Sequence, residues 1–302
     1  MAIPPFQEIT LPLLQLAADG KTRSLVEIRP ELVRHFGLTV EEVDELLPSG
    51  RQKRFTNRVA WAKVYLERGG LLESPERGQF RITQRGLEVL KNPPASISIK
   101  YLQRFPEFLE FQSRPKKSNS VDESEEDETQ TQTPEEALDD AYQSIRKGLA
   151  SELLSQVKSS SPKFFEQLVV DLLLKMGYGR AGGGTGKAIG RSGDEGIDGI
   201  IAEDRLGLEM VYLQAKRWEG TIGRPDIQRF VGALHGRHAR KGVFITTSTF
   251  SAEAINYVQT IDPKVALIDG VQLAEFMIDF NVGVSTDRSY EVKKIDSDYF
   301  EE

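Results

Sequence analysis

Residues 112–134 set the first limit on what this chain can fold into. The stretch is rich in Ser, Asp, Glu, Gln and Thr, and Val121 is its only large aliphatic residue. Such a composition cannot bury enough apolar surface to offset the entropy of ordering the backbone, so a disordered linker is expected. It leaves two flanking pieces of a 302-residue chain, each within the size of an ordinary domain. No internal repeat is visible and the two pieces differ in pattern, so two unlike domains are expected rather than a duplication. The expected boundaries are 1–95 for the first domain, 96–134 for a connector and acidic linker, and 135–302 for the second.

The linker also decides how the net charge of −7 is read. Ten acids lie between 121 and 140 with no Lys or Arg among them, which leaves +3 for the rest of the chain. A mildly basic body is compatible with a nucleic-acid partner, and the acidic run is expected to compete for its basic surfaces. The absence of cysteine excludes disulfides, thiolate zinc sites and cysteine nucleophiles. His235 and His238 lack a further ligand nearby in sequence and read as surface residues. No signal-like or membrane-spanning stretch is found, so the expectation is a cytoplasmic protein with no membrane partner.

The first piece begins with short helical patterns, carried by Leu11, Leu13, Leu14 and Leu16, by Leu32, Val33 and Phe36, and by Val40, Val43, Leu46 and Leu47 behind a Thr39 cap. A further helix is expected after Thr56, with Val59, Ala60, Val64 and Leu66 inward and a stop at Gly69-Gly70. Two strand-like runs, 71–74 and 79–83, flank the turn Pro75-Glu76-Arg77-Gly78. Helices, a last helix and a hairpin in that order describe a winged helix. Arg51, Lys53, Arg54, Arg58 and Lys63 surround or lie on the helix before the wing, and Arg77 and Arg81 lie in the wing. Such a cluster would let the helix enter the major groove of double-stranded DNA while the wing touches phosphates.

The second piece alternates helices and strands. Ser161-Pro162 supplies an N-cap and first-turn proline to a helix with Phe165, Leu168, Val169, Leu172 and Leu173 inward, ended by Gly177. Strands are expected at 197–202 and 208–216 as a hairpin, then at 243–247 and 265–268, with helices at 225–238, 251–259 and 271–280. The fold class is therefore α/β: a mixed-sheet domain preceded by a mainly helical one.

Chemistry concentrates at Gly196-Ile197-Asp198-Gly199 and Gln214-Ala215-Lys216. Side chains alternate along a strand, so Gln214 and Lys216 share a face, and Asp198 can meet them across the hairpin. An apolar strand ending in an amide and an ammonium pays a desolvation cost that a site justifies better than a core does. The run Gly182-Gly183-Gly184-Thr185-Gly186-Lys187 looks like a phosphate loop, but Ala181 and Ala188 break that pattern, so no nucleotide cofactor is expected.

This half resembles the Mrr family of restriction endonucleases, within the PD-(D/E)xK nuclease superfamily, over residues 149–278. The resemblance is carried by Phe165-Glu166, Met176-Gly177-Tyr178, the Gly196 turn, Gln214-Ala215-Lys216-Arg217-Trp218, Lys241-Gly242-Val243-Phe244-Ile245-Thr246-Thr247 and Leu267-Ile268-Asp269-Gly270. The first half is similar to the Mrr N-terminal winged helix in Asn57-Arg58-Val59-Ala60-Trp61-Ala62 and Arg81-Ile82-Thr83. The resemblance implies that Asp198 binds Mg²⁺, that Gln214 stands where the superfamily usually has a second acid, and that Lys216 completes the catalytic set. The main-chain carbonyl of Ala215 is a further ligand candidate. A neutral amide is a weaker ligand than a carboxylate, so Glu166 is expected to support the ion, in preference to Asp194 or Glu195. The implied activity is restriction of foreign, methylated DNA, and cutting both strands implies a homodimer or higher oligomer on DNA. The alternatives are a DNA-binding regulator with an inactive nuclease fold and a structure-specific nuclease.

Overall fold

The computed structural model describes residues 2–112, 132–179, 196–204 and 206–293, and the chain divides into two compact units, 1–145 and 146–302. The Gly182–Lys187 run, Asp194, Glu195 and most of the acidic linker lie outside the described residues.

The first unit opens with α1 (Phe6–Leu16), β1 (Arg23–Ser24), α2 (Leu25–Phe36), α3 (Val40–Asp44) and α4 (Arg54–Arg68). Ser24 and Thr39 start α2 and α3 with reciprocal capping boxes, in which Glu27 and Glu42 reach back to the cap amides. β2 (Leu72–Glu73) and β3 (Gln79–Ile82) form the wing, and β3 also pairs with β1, giving the order β1-β3-β2. The sequence reading missed β1. Two residues paired to Gln79 and Phe80, more than fifty positions away, leave no periodicity to detect.

Downstream, α5 (Gln84–Lys91), α6 (Ile99–Leu102) and α7 (Pro106–Gln112) complete the unit. Ile97, Leu102 and Phe108 join Phe6, Leu13, Phe55, Leu66 and Phe80 in one core. The stretch 96–112, expected to be connector, therefore belongs to that core. A long helix, α8 (Pro134–Ser159), follows; its first turns fall in the first unit, while Leu153 and Val157 enter the core of the second.

The second unit is built on a sheet of order β4-β5-β6-β7. β4 (Gly199–Ala202) and β5 (Met210–Lys216) are antiparallel, whereas β5, β6 (Lys241–Thr246) and β7 (Lys264–Ile268) run parallel. The mixed sheet is as expected. α9 (Pro162–Met176) begins at the Ser161 cap and ends at Gly177 in the left-handed conformation, again as expected. α9 and α12 (Gly270–Asp279) cover one face with Val211, Leu213 and Ile245, and α10 (Arg224–Gly236) and α11 (Ala252–Val258) cover the other with Phe230 and Phe244. The period-2 alternation of β5 thus sends Val211 and Leu213 to one layer and Tyr212 to the opposite one.

Candidate active site

Antiparallel pairing sets Gly199 opposite Leu213, which brings Asp198, one residue before β4, alongside Gln214. The Asp198 amide donates to the Leu213 carbonyl at 2.8 Å and continues the ladder. Its carboxylate Oδ2 accepts from the Ala215 amide at 2.7 Å and from Gln214 Nε2 at 3.1 Å. Gly196 makes room for this arrangement. It adopts a positive φ of 93°, and a Cβ placed there would lie 2.9 Å from Gln214 Oε1.

Burial pushes the Asp198 carboxylate above its ordinary pKa, against the two hydrogen bonds, which pull it down. Glu166, on the second turn of α9, is raised as well, by burial first and then by the negative charge of Asp198, with Lys163 opposing. Glu166 therefore senses the charge of Asp198. A hard cation between them would relieve both effects, and the neutral oxygens of Gln214 and Ala215 are of the type such a cation accepts. The described residues fit a divalent ion, although they hold no cluster of three or more His, Cys, Asp or Glu side chains.

Lys216 closes β5 with its side chain on the Gln214 face. The ammonium does not reach out alone: Nζ donates to Asp226 Oδ1 at 2.6 Å and lies 4.7 Å from the centroid of the Trp218 ring. Asp226 is the third residue of α10, and the hydrogen bond from Lys216 holds its carboxylate below its ordinary pKa. The sequence reading missed Asp226. Its only local signal was an acid behind Pro225 in a first helical turn, which the helix dipole explains without any site.

The basic residues of the first unit separate into two groups. Arg51 is exposed, Lys53 pairs with Asp44 at 2.5 Å, and Arg81 in the wing pairs with Glu73 at 2.5 Å, the last two pairs being open to solvent. Arg77 lies exposed in the wing turn. Lys63 bonds to Glu67 at 2.8 Å within α4. Arg54 and Arg58 are committed elsewhere: Arg58 Nε meets Glu136 at 2.9 Å and its guanidinium also donates to the carbonyls of Ile3 and Pro4, while Arg54 meets Glu45 at 2.7 Å and Glu136 at 3.6 Å. Glu136 is only 2% exposed and Thr133, which caps α8 and donates to Asn57 at 2.6 Å, is fully buried. Glu135 accepts from the Trp61 indole, and Asp139 from the Ser49 amide at 3.1 Å. The start of the acidic helix therefore lies on the outward face of α4.

Among the described residues no helix is long and apolar enough to cross a membrane. Residues 6–92 match the Mrr N-terminal domain and residues 157–277 match the restriction endonuclease family. Over 100% of both chains, the protein is 35% identical to the type IV methyl-directed restriction enzyme EcoKMrr of Escherichia coli strain K12. Among solved structures, the DNA modification-dependent restriction endonuclease AspBHI aligns with a TM-score of 0.35 and 16% identity over 71% of this chain and 56% of its own. The MspJI restriction endonuclease bound to a 27-mer oligonucleotide aligns with a TM-score of 0.27 and 19% identity over 68% of this chain and 49% of its own. On its two family matches and its full-length relative, the chain belongs to the Mrr family of restriction endonucleases and is a DNA endonuclease.

Proposed function

We propose that the protein hydrolyses phosphodiester bonds of methylated double-stranded DNA in a Mg²⁺-dependent reaction in the cytoplasm, acting as a homodimer or larger assembly on DNA. The observation that carries this reading is the meeting of Asp198 with Gln214 and Ala215 at the strand end that also presents Lys216. Methyl dependence rests on the methyl-directed relative.

Asp198, Glu166, the side-chain oxygen of Gln214 and the main-chain carbonyl of Ala215 would hold the ion. The chemistry such an ion would supply there is polarisation of the scissile phosphate and a lowered pKa for water beside it. The amide of Gln214 can serve in either sense, because it carries a donor, now spent on Asp198, and an acceptor that faces Gly196. Lys216 offers a positive charge to the phosphate as charge develops on its oxygens. Arg51, Lys53, Arg77 and Arg81 present charge to the DNA backbone; solvent-exposed pairs such as Lys53 with Asp44 are worth about 0–1 kcal/mol and yield readily to a phosphate.

The test is incubation of methylated and unmethylated plasmid with Mg²⁺ and with EDTA, using wild type and Lys216→Ala. The expected result is cleavage of methylated plasmid alone, by wild type alone, and with Mg²⁺ alone. Equal cutting of both plasmids removes the methylation claim, and cutting of neither removes the active-nuclease reading.

A further inference from the structure

Lysine is a poor fixed electrostatic element by itself. Its ammonium sits on a flexible four-carbon stem that loses rotamer entropy when immobilised. In this protein both ends of the Lys216 side chain are anchored. The backbone end is held by the fully buried Thr246, whose hydroxyl donates to the Lys216 carbonyl at 2.8 Å. The head meets Asp226 Oδ1 at 2.6 Å, and Asp226 belongs to a rigid platform. α10 is fastened to the sheet by the buried Ile227, Phe230, Val231 and Leu234. Just before it, the buried Ile222 donates to Thr249 at 2.8 Å and accepts from Ser251 at 2.9 Å. The Trp218 ring lies against the ammonium, and its backbone is fixed by two bonds to Thr247, at 3.1 and 3.0 Å.

The geometry points to Asp226 as the positioning residue of the nuclease site: through its carboxylate it fixes the Lys216 ammonium where the phosphate must arrive. The inference rests on the function proposed above, since it assigns Lys216 to catalysis. The Asp226 carboxylate is bonded to the Lys216 ammonium and acts through it, with Trp218 as the third side of the clamp. Arg229, 3.7 Å from the same carboxylate oxygen, is 71% exposed and cannot take over the role of a fixed head group.

The experiment compares wild type, Asp226→Ala, Asp226→Glu, Lys216→Ala and the Asp226→Ala/Lys216→Ala double variant. Single-turnover cleavage of methylated plasmid with Mg²⁺ gives the rate, and binding of a methylated duplex in EDTA gives the affinity. Loss of pre-organisation should slow Asp226→Ala by about 10²-fold at unchanged affinity, the scale expected for a reacting group displaced by an ångström. Asp226→Glu, which keeps the charge, should recover part of the rate, and the double variant should be no slower than Lys216→Ala. Emission of Trp218, read in a Trp61→Phe background that leaves it the sole tryptophan, should change alike in Asp226→Ala and Lys216→Ala, because both withdraw the ammonium from the ring. A merely structural acid would instead lower thermal stability without matching that spectral change. Cleavage by Asp226→Ala at the wild-type rate overturns the role, as does a double variant slower than Lys216→Ala by the full factor. A wild type that cuts nothing overturns the nuclease reading itself, and the positioning role with it.

Discussion

Gln214 donates its side-chain amide to Asp198 Oδ2 at 3.1 Å, so a neutral hydrogen-bond donor faces the carboxylate across the hairpin. The amide steadies a buried carboxylate that would otherwise meet a like charge. Gln214→Glu reverses this relation by setting two carboxylates within hydrogen-bond distance of each other, with Glu166 nearby. The variant should unfold at lower temperature than wild type at neutral pH in EDTA. It should also gain more than wild type from added Mg²⁺, because a cation now offsets a repulsion as well as a desolvation. Thermal unfolding with and without Mg²⁺ checks this, and equal melting of the two proteins in EDTA would reject it.

The raised pKa values of Asp198 and Glu166 also fix a pH dependence. Between the ordinary carboxylate value and the raised folded value, the native state holds protons that the unfolded chain has already released. Stability of the metal-free protein should therefore fall as pH rises through that window, and it should be fully present only below the unfolded-state values. Metal binding needs the ionised forms, so cleavage should fail on the acid side at a pH above that of an ordinary carboxylate. Asp198→Asn should flatten the stability profile in EDTA and abolish the gain from Mg²⁺. A profile identical to wild type would show that Asp198 is not the group responsible.

Legibility in the sequence followed the range of the interactions. The bounds of α9 were readable because Ser161, Pro162 and Gly177 act within one turn of the helix ends. The pairing of Asp198 with Gln214 was readable because a short hairpin and period-2 alternation leave few registers. The lysine clamp was not, since Asp226 reaches Lys216 from a different element. Nor was the fate of Arg58: its partner Glu136 is 78 residues away, and charge patterning alone gave it to DNA.

Arg58 and Arg81 should consequently separate in mutagenesis. Arg58 is 12% exposed and Glu136 3% in their side chains, so Arg58→Ala leaves a buried carboxylate that keeps the Thr133 amide at 3.0 Å but has only the 3.6 Å contact of Arg54 as a cationic partner among the described residues. A loss of about 3 kcal/mol in stability is expected, read by urea unfolding. Arg81 and Glu73 are each 49% exposed, and Arg81→Ala should shift stability by less than about 1 kcal/mol. Its effect should appear in DNA binding, as weaker affinity for every sequence and a salt slope reduced by about 1. Unchanged binding by Arg81→Ala would remove the wing from the DNA interface.

The acidic start of α8 raises the matching question of whether it competes with DNA for α4. Glu136 cannot answer it, because its removal would leave the half-buried Arg58 guanidinium without its carboxylate. Glu135 and Asp139 can, since among the described residues they accept from the Trp61 indole and the Ser49 amide at the periphery of the contact. Glu135→Gln/Asp139→Asn keeps the shape and removes two negative charges from the side of the helix before the wing. If the segment competes, the variant should bind a DNA duplex several-fold more tightly, with the gain shrinking as salt rises, because screening weakens the repulsion that was removed. Fluorescence anisotropy across a salt series measures this. Affinity equal to wild type at low salt would mean that DNA approaches the first unit by a surface the acidic helix does not influence.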